Sequence, residues 1–159
     1  MKVSLSDVVK KPYWSKDICV WIGTETGVLK ATEGERNVSL DLLDLFTPGE
    51  DVPADDMGRT QLIELRLDSK LQELRRDLPE RRVLILKNAA LLARYRVGLG
   101  PIYDWFGGDK KMAVLVLTSQ ADFRLPLHLN RDVKCDCEAT VDYLTSCLAN
   151  QKLVFRERQ

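Results

Sequence analysis

Almost continuous apolar runs recur along the chain, and helix-like segments separate them. The clearest runs lie at residues 17–22, 82–86 and 112–117. A strand that is apolar throughout is typical of a parallel sheet buried on both faces, because a strand with one wet face would alternate. The pattern therefore predicts an α/β fold, a three-layer sandwich with a mainly parallel sheet.

Weaker signals complete the predicted order of elements. Further strands are expected at residues 37–40, 133–137 and 153–155. Helices are expected at residues 4–10, 61–78, 89–95, 102–106 and 138–149, with a helical turn at 41–46. In the longest helix, leucines recur mostly at steps of three and four residues up to Pro79, and an extended opening is the alternative.

Residues 47–59 carry proline, glycine and aspartate at high density, which is typical of a loop. We expect this segment to be the longest loop of the chain and a mobile one. At 159 residues the chain fits one domain of ordinary size, so residues 1–159 are predicted to form a single domain.

Composition excludes several classes of protein. Hydrophobic residues make up 45% and charged residues 30% of the chain, the balance of a globular protein. No apolar run approaches the ~18 residues that span a bilayer, and the first residues lack the apolar core of a signal peptide. We therefore expect a cytoplasmic protein without membrane association. The cysteines form no CxxC pair and His128 is the only histidine, so no metal site is expected.

The residues after the first predicted strand resemble a phosphate-binding loop in composition. Gly23, Gly27, Lys30 and Thr32 are residue types that such a loop uses. A working loop has the spacing GxxxxGK[ST], because its backbone amides curl around the phosphate and its lysine directly follows the second glycine. Counting from either glycine, an aliphatic residue stands at the lysine position. We therefore interpret the loop as degenerate.

Polar residues also follow the other two strong strands. A Walker B strand ends in an aspartate that holds magnesium, whereas the second strong run is followed by Lys87 and Asn88. Thr118 follows the third strong run, at the position of the polar sensor residue of AAA-like ATPases. Because the carboxyl ends of parallel strands meet at one edge of a sheet, we predict that Glu25 and Lys87 form a replacement salt bridge there.

In the order of these parts the chain resembles the AAA-like P-loop core, and most nearly the small P-loop component of BREX phage-exclusion systems. The resemblance covers roughly residues 15–150 and is one of layout and hydrophobic pattern. It implies a P-loop-NTPase-like domain that acts in antiviral defence within a larger DNA-modifying or DNA-sensing assembly. Val28, Leu29 and Lys87 depart from the family's motifs, so we expect no catalytic residue and no cofactor.

The charges are unevenly distributed, although the formal net charge is zero. Residues 33–70 hold ten acidic and four basic side chains, and residues 81–132 hold nine basic and four acidic ones. This polarity favours oriented docking, whereas two solvated faces are the simpler interpretation. The residues proposed for contact with a partner or with DNA are Arg81, Arg82, Lys87, Arg94, Arg96, Lys110 and Lys111, with Tyr95, Tyr103 and Trp105 between them. The aromatic residues are alternatively part of the core.

Three functional hypotheses follow from these patterns. The first is a non-catalytic adaptor or regulatory subunit that docks to a larger protein, such as a true ATPase or a DNA-modifying complex, with self-association as a further option. The second is a nucleotide-binding switch that uses Lys30 and Thr32 to bind ATP and Mg²⁺. The third is a DNA-contacting module that uses the basic residues, which the zero net charge disfavours.

Overall fold

The computed structural model describes residues 5, 18–47, 50–77, 82–106, 112–119, 121–127 and 131–157. Its strands are β1 (Ile18–Ile22), β2 (Asn37–Asp41), β3 (Arg82–Lys87), β4 (Met112–Thr118), β5 (Phe123–Leu127), β6 (Arg131–Cys135) and β7 (Val154–Arg156). Its helices are α1 (Glu25–Ala31), α2 (Asp56–Asp77), α3 (Ala90–Arg94), α4 (Gly100–Phe106) and α5 (Cys137–Ser146), with a 3-10 helix at Leu42–Leu45.

Five strands form one parallel sheet in the order β2-β3-β4-β1-β7. Within it, β1 pairs with β4 in the register Ile22↔Thr118 and with β7 in the register Ile22↔Arg156. The prediction of an α/β fold with a mainly parallel sheet is therefore confirmed. The carboxyl ends of β1, β4 and β7 lie side by side at one edge of the sheet.

Both faces of the sheet are buried. Alternate residues of β1 belong to two different apolar clusters. The larger cluster also contains the buried apolar side chains of α2, α3, α4 and α5. The smaller cluster contains Cys19 and Trp21 of β1, Val28 of α1, and Leu153. Burial on both sides explains why β1 is apolar at every position.

A hairpin separate from the main sheet corrects one sequence-based prediction. The strand predicted at residues 133–137 begins at Arg131 and ends at Cys135, and Cys137 already belongs to α5. This strand, β6, pairs antiparallel with β5 in a sheet of two strands. The sequence did not predict β5, because Pro126 lies within it and proline is tolerated only in strands that need no hydrogen bond at that position.

Two helices differ from the sequence-based expectation, and a third predicted helix lies almost entirely outside the described residues. The sequence did not predict α1, which begins one residue after Thr24. The long helix is confirmed but begins at Asp56, so residues 56–59 are helical rather than part of a loop. Of the leading helix predicted at residues 4–10, only Leu5 belongs to the described part of the chain, where it is helical and buried.

Arg66 ties the segment before α2 to the helix. Its guanidinium donates to both carboxylate oxygens of Glu50, at 2.7 Å for the Nη2–Oε2 pair, and to the carbonyl of Leu45 at 2.9 Å. The backbone amide of Thr47 donates to the same carboxylate at 2.7 Å. The hydrogen bond to Glu50 raises the pKa of the Arg66 guanidinium, against an opposing effect of desolvation. The described part of the predicted mobile loop is thus anchored at Glu50.

Replacing Arg66 with lysine should loosen this anchor. A lysine ammonium cannot form the two-pronged contact with a carboxylate that a guanidinium forms. We expect cleavage after Asp51 or Asp55 by an acid-specific protease to become about fivefold faster, corresponding to about 1 kcal/mol of lost local stability. Arg76→Lys, at an exposed position of the same helix, is the control. Equal cleavage rates in the two variants would contradict the anchoring role.

Candidate functional site

Three strand ends that the sequence singled out lie at one edge of the sheet. Gly23 follows β1, Lys87 ends β3, and Thr118 ends β4, which lies between the other two strands. The amide of Gly23 donates to the carbonyl of Thr118 at 2.9 Å, which fixes the start of the loop against β4. This edge is where ligands bind in open parallel sheets.

Thr24 organises the loop between β1 and α1. It is the N-cap of α1, and its hydroxyl oxygen accepts from the amide of Gly27 at 3.0 Å. The indole Nε1 of Trp21 donates to the carbonyl of Thr24 at 3.1 Å. Two hydrogen bonds therefore hold the loop at Thr24, one from the indole of Trp21 and one from the amide of Gly27.

Glu157 occupies the loop, and the sequence did not predict this. Its Oε2 accepts from the amide of Thr24 at 2.6 Å, and the hydroxyl of Thr24 lies 2.9 Å from both Oε1 and Oε2. The amide of Glu157 donates to the carbonyl of Ile22 at 2.9 Å, continuing the pairing of β7 with β1. A carboxylate from the far end of the chain thus lies against the first residues after β1.

The two glycines of the loop leave the space that this carboxylate fills. A Cβ atom at Gly23 would lie 2.6 Å from the Cβ and 2.6 Å from Oε2 of Glu157, and 2.9 Å from Nε1 of Trp21. A Cβ atom at Gly27 would overlap with Oε1 and the carboxyl carbon of Glu157. A side chain at either position would therefore collide with Glu157, which explains why glycine is needed at both.

The predicted pairing of Glu25 with Lys87 is confirmed. Nζ of Lys87 lies 2.7 Å from Oε1 of Glu25, and the two side chains are 28% and 46% exposed. The pair joins the first residue of α1 to the last residue of β3. At this exposure it contributes at most ~1 kcal/mol to stability, so its main effect is to neutralise charge at the sheet edge.

Asn88, directly after β3, links the carboxyl end of this strand to that of β2. Its backbone has φ of 59°, in the left-handed region that asparagine tolerates better than most residues. Its Nδ2 donates to Oδ1 of Asp41 at 2.7 Å, and the same oxygen accepts from the amide of Leu43 at 2.9 Å. Asn88 and Asp41 therefore fasten the ends of β3 and β2 together.

The other residues proposed for phosphate binding lie in different surroundings. Thr118 is buried at the strand end, and its hydroxyl has no hydrogen-bond partner among the described residues. Lys30 is exposed in the last turn of α1. Thr32 caps the other end of α1, is buried, and donates its hydroxyl to the carbonyl of Val28 at 2.8 Å. The structure therefore does not bring Thr32 to the loop.

The described members of the proposed basic surface do not all lie at one end of the sheet. Arg82 begins β3 and Lys87 ends it, so these two residues lie at opposite ends of the strand. Arg94 lies 3.2 Å from Asp56 and stacks on the ring of Tyr95, whose side chain is buried. The remaining residues of this proposed surface, Arg81, Lys110 and Lys111, lie outside the described residues.

The aromatic residues proposed to lie between the basic ones have structural contacts. Nε1 of Trp105 donates to Asp68 at 2.7 Å, and the hydroxyl oxygen of Tyr103 accepts from the amide of Ala149 at 2.7 Å. Arg96 has φ of 52°, and its guanidinium lies 6.0 Å from the ring centre of Tyr143. Burial of Tyr95 confirms the core interpretation for that residue.

The described residues contain no group of three or more histidine, cysteine, aspartate or glutamate side chains placed to hold a metal ion, and His128 lies outside them. No helix in the described part of the chain combines the length and apolarity needed to cross a membrane.

Comparison with known proteins gave no relative. No protein-family model, no curated protein and no solved structure matches this chain.

Proposed function

We propose that this chain is a non-catalytic, P-loop-like adaptor or regulatory subunit of a larger assembly. The observation that carries the proposal is the Glu157 carboxylate, which accepts hydrogen bonds from the amide and hydroxyl of Thr24. In a P-loop protein, a nucleotide phosphate would receive the amides of this loop. Here an internal anion receives one of them, so the loop holds the end of the sheet together.

The charges around the loop support the same proposal. A phosphate that entered the loop would have to displace Glu157, and it would also approach the carboxylate of Glu25. Lys87 stands where a Walker B aspartate would hold magnesium, and its ammonium is already paired with Glu25. In a working site the loop amides would attract phosphate and a Walker B carboxylate would attract magnesium. Here Glu157 already accepts from a loop amide, and a lysine stands in place of the carboxylate.

The three-layer, P-loop-like description of the fold belongs to this proposal too. It is supported by the parallel sheet, the helices that cover the larger cluster, and the meeting of Gly23, Lys87 and Thr118 at one edge. The partner that the resemblance suggests is a larger protein, such as an ATPase or a DNA-modifying complex of antiviral defence.

One observation favours the nucleotide-binding switch as a second candidate. The buried hydroxyl of Thr118 has no partner among the described residues, and buried hydroxyls are normally hydrogen-bonded. A bound ligand at the sheet edge would give it one. The position of Thr32 at the far end of α1 counts against this candidate, because its hydroxyl is committed to Val28.

Calorimetric titration with ATP and Mg²⁺ separates the two candidates. At protein concentrations that detect millimolar affinity, the adaptor proposal expects no saturable heat from the wild-type chain. The nucleotide switch expects saturable binding that depends on magnesium and weakens at least tenfold in Lys30→Ala, about 1.4 kcal/mol. Lys70→Ala, an exposed lysine of α2, is the matched control and should bind as the wild type does. Saturable binding in this form would overturn the adaptor proposal.

Direct support for the adaptor proposal would be a protein that binds this chain specifically. The tagged chain should retain one specific protein from an extract of its source, and a reciprocal capture with that protein should recover this chain. The complex should form again from the two purified proteins. Reconstitution that fails with every retained protein would leave the chain without the partner that an adaptor requires, and would count against the proposal.

A further inference from the structure

An open cavity lies between the first turns of α2 and the end of α3. Its volume is about 450 Å³, within the range of ~300 to 1,000 Å³ that is usual for binding pockets. Residues of α2 from Asp56 to Glu64 form one wall, and residues 94–96 form the other. No residue of the loop after β1 lines this cavity, so it is separate from the site that Glu157 fills.

Two contacts tie the walls of the cavity together. The hydroxyl of Thr60 lies 2.6 Å from the carbonyl oxygen of Tyr95, and Nη1 of Arg94 lies 3.2 Å from Oδ2 of Asp56. The guanidinium of Arg94 also stacks on the ring of Tyr95, at 4.8 Å from the ring centre. The cavity is therefore formed before a ligand enters, which reduces the free energy that ordering the site would cost.

Charged and apolar groups at this surface are left available for a ligand. The guanidinium of Arg96 contacts the ring of Tyr143 but forms no ion pair with any described residue. Glu64 is exposed, and its carboxylate forms no hydrogen bond or ion pair within the described part of the chain. Met57 is 72% exposed and Leu65 is 67% exposed, more than any other large apolar side chain that the structure describes. One surface thus combines apolar contact area with an available group of each charge.

We propose that this surface binds a short segment of the partner protein, in which an acidic side chain pairs with Arg96 and an apolar side chain packs on Met57 and Leu65. A basic side chain of the same segment pairs with Glu64. The proposal rests on the adaptor function and gives it a docking surface.

Charge and length identify the occupant. A purely anionic ligand would approach the carboxylate of Glu64, and a purely cationic one would approach Arg96, so a ligand that carries both signs is favoured. Met57 and Leu65 are about 12 Å apart along the helix axis, at ~1.5 Å per residue. A free amino acid is too short to contact both side chains, whereas a peptide segment is long enough.

Selection from phage-displayed random peptides tests the surface without the natural partner. Peptides that bind the wild-type chain should share an acidic residue, and calorimetric titration should show at least tenfold weaker binding to Arg96→Glu. Arg76→Glu, at an exposed position near the end of α2, is the matched control and should bind as the wild type does. Glu64→Lys should likewise weaken binding, whereas Glu73→Lys, also exposed on α2, should not.

A charge exchange separates direct contact from an indirect effect of the substitution. Replacing the acidic residue of a selected peptide with lysine should weaken its binding to the wild-type chain at least tenfold. The same peptide should bind Arg96→Glu more tightly than it binds the wild type, because the two charges then attract again. The methyl signal of Met57, one of three methionines, should shift in the NMR spectrum when the original peptide is added to the wild type.

The surface and the adaptor function can fail separately. A selection that yields no such peptide, or peptides that bind Arg96→Glu as tightly as the wild type, overturns the surface. A shift of the Met57 signal with free lysine or glutamate, but with no peptide, identifies a small-molecule site and also overturns it. A captured partner protein that binds the wild type and Arg96→Glu equally overturns the surface and leaves the adaptor proposal standing.

Discussion

Gly27→Ala should lower the free energy of unfolding by about 1 to 2 kcal/mol, although the same change inside a helix normally raises it by about 0.5 to 1 kcal/mol. Gly27 lies in the first turn of α1, and an added Cβ atom would overlap with the carboxylate of Glu157. The carboxylate would have to leave, with the loss of its hydrogen bonds to Thr24. That loss exceeds the gain in helix propensity.

The sign of this effect should reverse when the carboxylate is absent. In a chain that carries Glu157→Ala, we expect Gly27→Ala to stabilise by about 0.5 to 1 kcal/mol, because only the helix propensity remains. Urea unfolding of the four members of this double-mutant cycle measures the difference. Gly100→Ala, where an added Cβ atom meets nothing within 4 Å, is the control and should have the same effect in both backgrounds. A destabilising Gly27→Ala in both backgrounds would show that the carboxylate does not occupy this space.

Leu67→Ala should destabilise the protein by about 2 to 5 kcal/mol, the larger of the two effects. Leu67 is fully buried in the large apolar cluster beneath α2, so truncation removes apolar burial and leaves a cavity. Leu65→Ala, two residues earlier on the same helix, is the matched control. Its side chain is 67% exposed, and we expect a change within about 0.5 kcal/mol.

Denaturant midpoints at equal m-values measure this pair directly. Because both substitutions remove the same atoms from the same helix, propensity effects cancel between them. The difference therefore reports which face of α2 lies against the larger apolar cluster. Equal losses of stability would mean that α2 is rotated from the position described, and would also remove the basis for assigning the larger cluster to that face.

Apolar patterning predicts the centre of the sheet because β1 and β3 are buried on two sides. Apolar residues are favoured at such positions, so β1 and β3 can be predicted without knowing which strands pair with them. One contact of the site could be predicted in the same way. Glu25 and Lys87 could be paired because residues that follow parallel strands meet at one edge, and that rule needs only the strand ends.

The rest of the site depends on which strands are neighbours. Glu157 follows a predicted strand, as Lys87 and Thr118 do, but nothing local indicates that this strand lies beside β1. Once the register Ile22↔Arg156 is known, the next residue falls beside Gly23. The missed helix α1 has a local cause, since glycine in its first turn lowers its helix propensity.

The hydrogen bond between Trp21 and Thr24 gives the loop an intrinsic optical signal. The indole is bound to the residue that also holds Glu157, so release of the carboxylate changes the polarity around this fluorophore. Trp105 is bound to Asp68 on α2 and provides emission that does not depend on the loop. Displacement of the Glu157 carboxylate should therefore change the tryptophan emission of the chain.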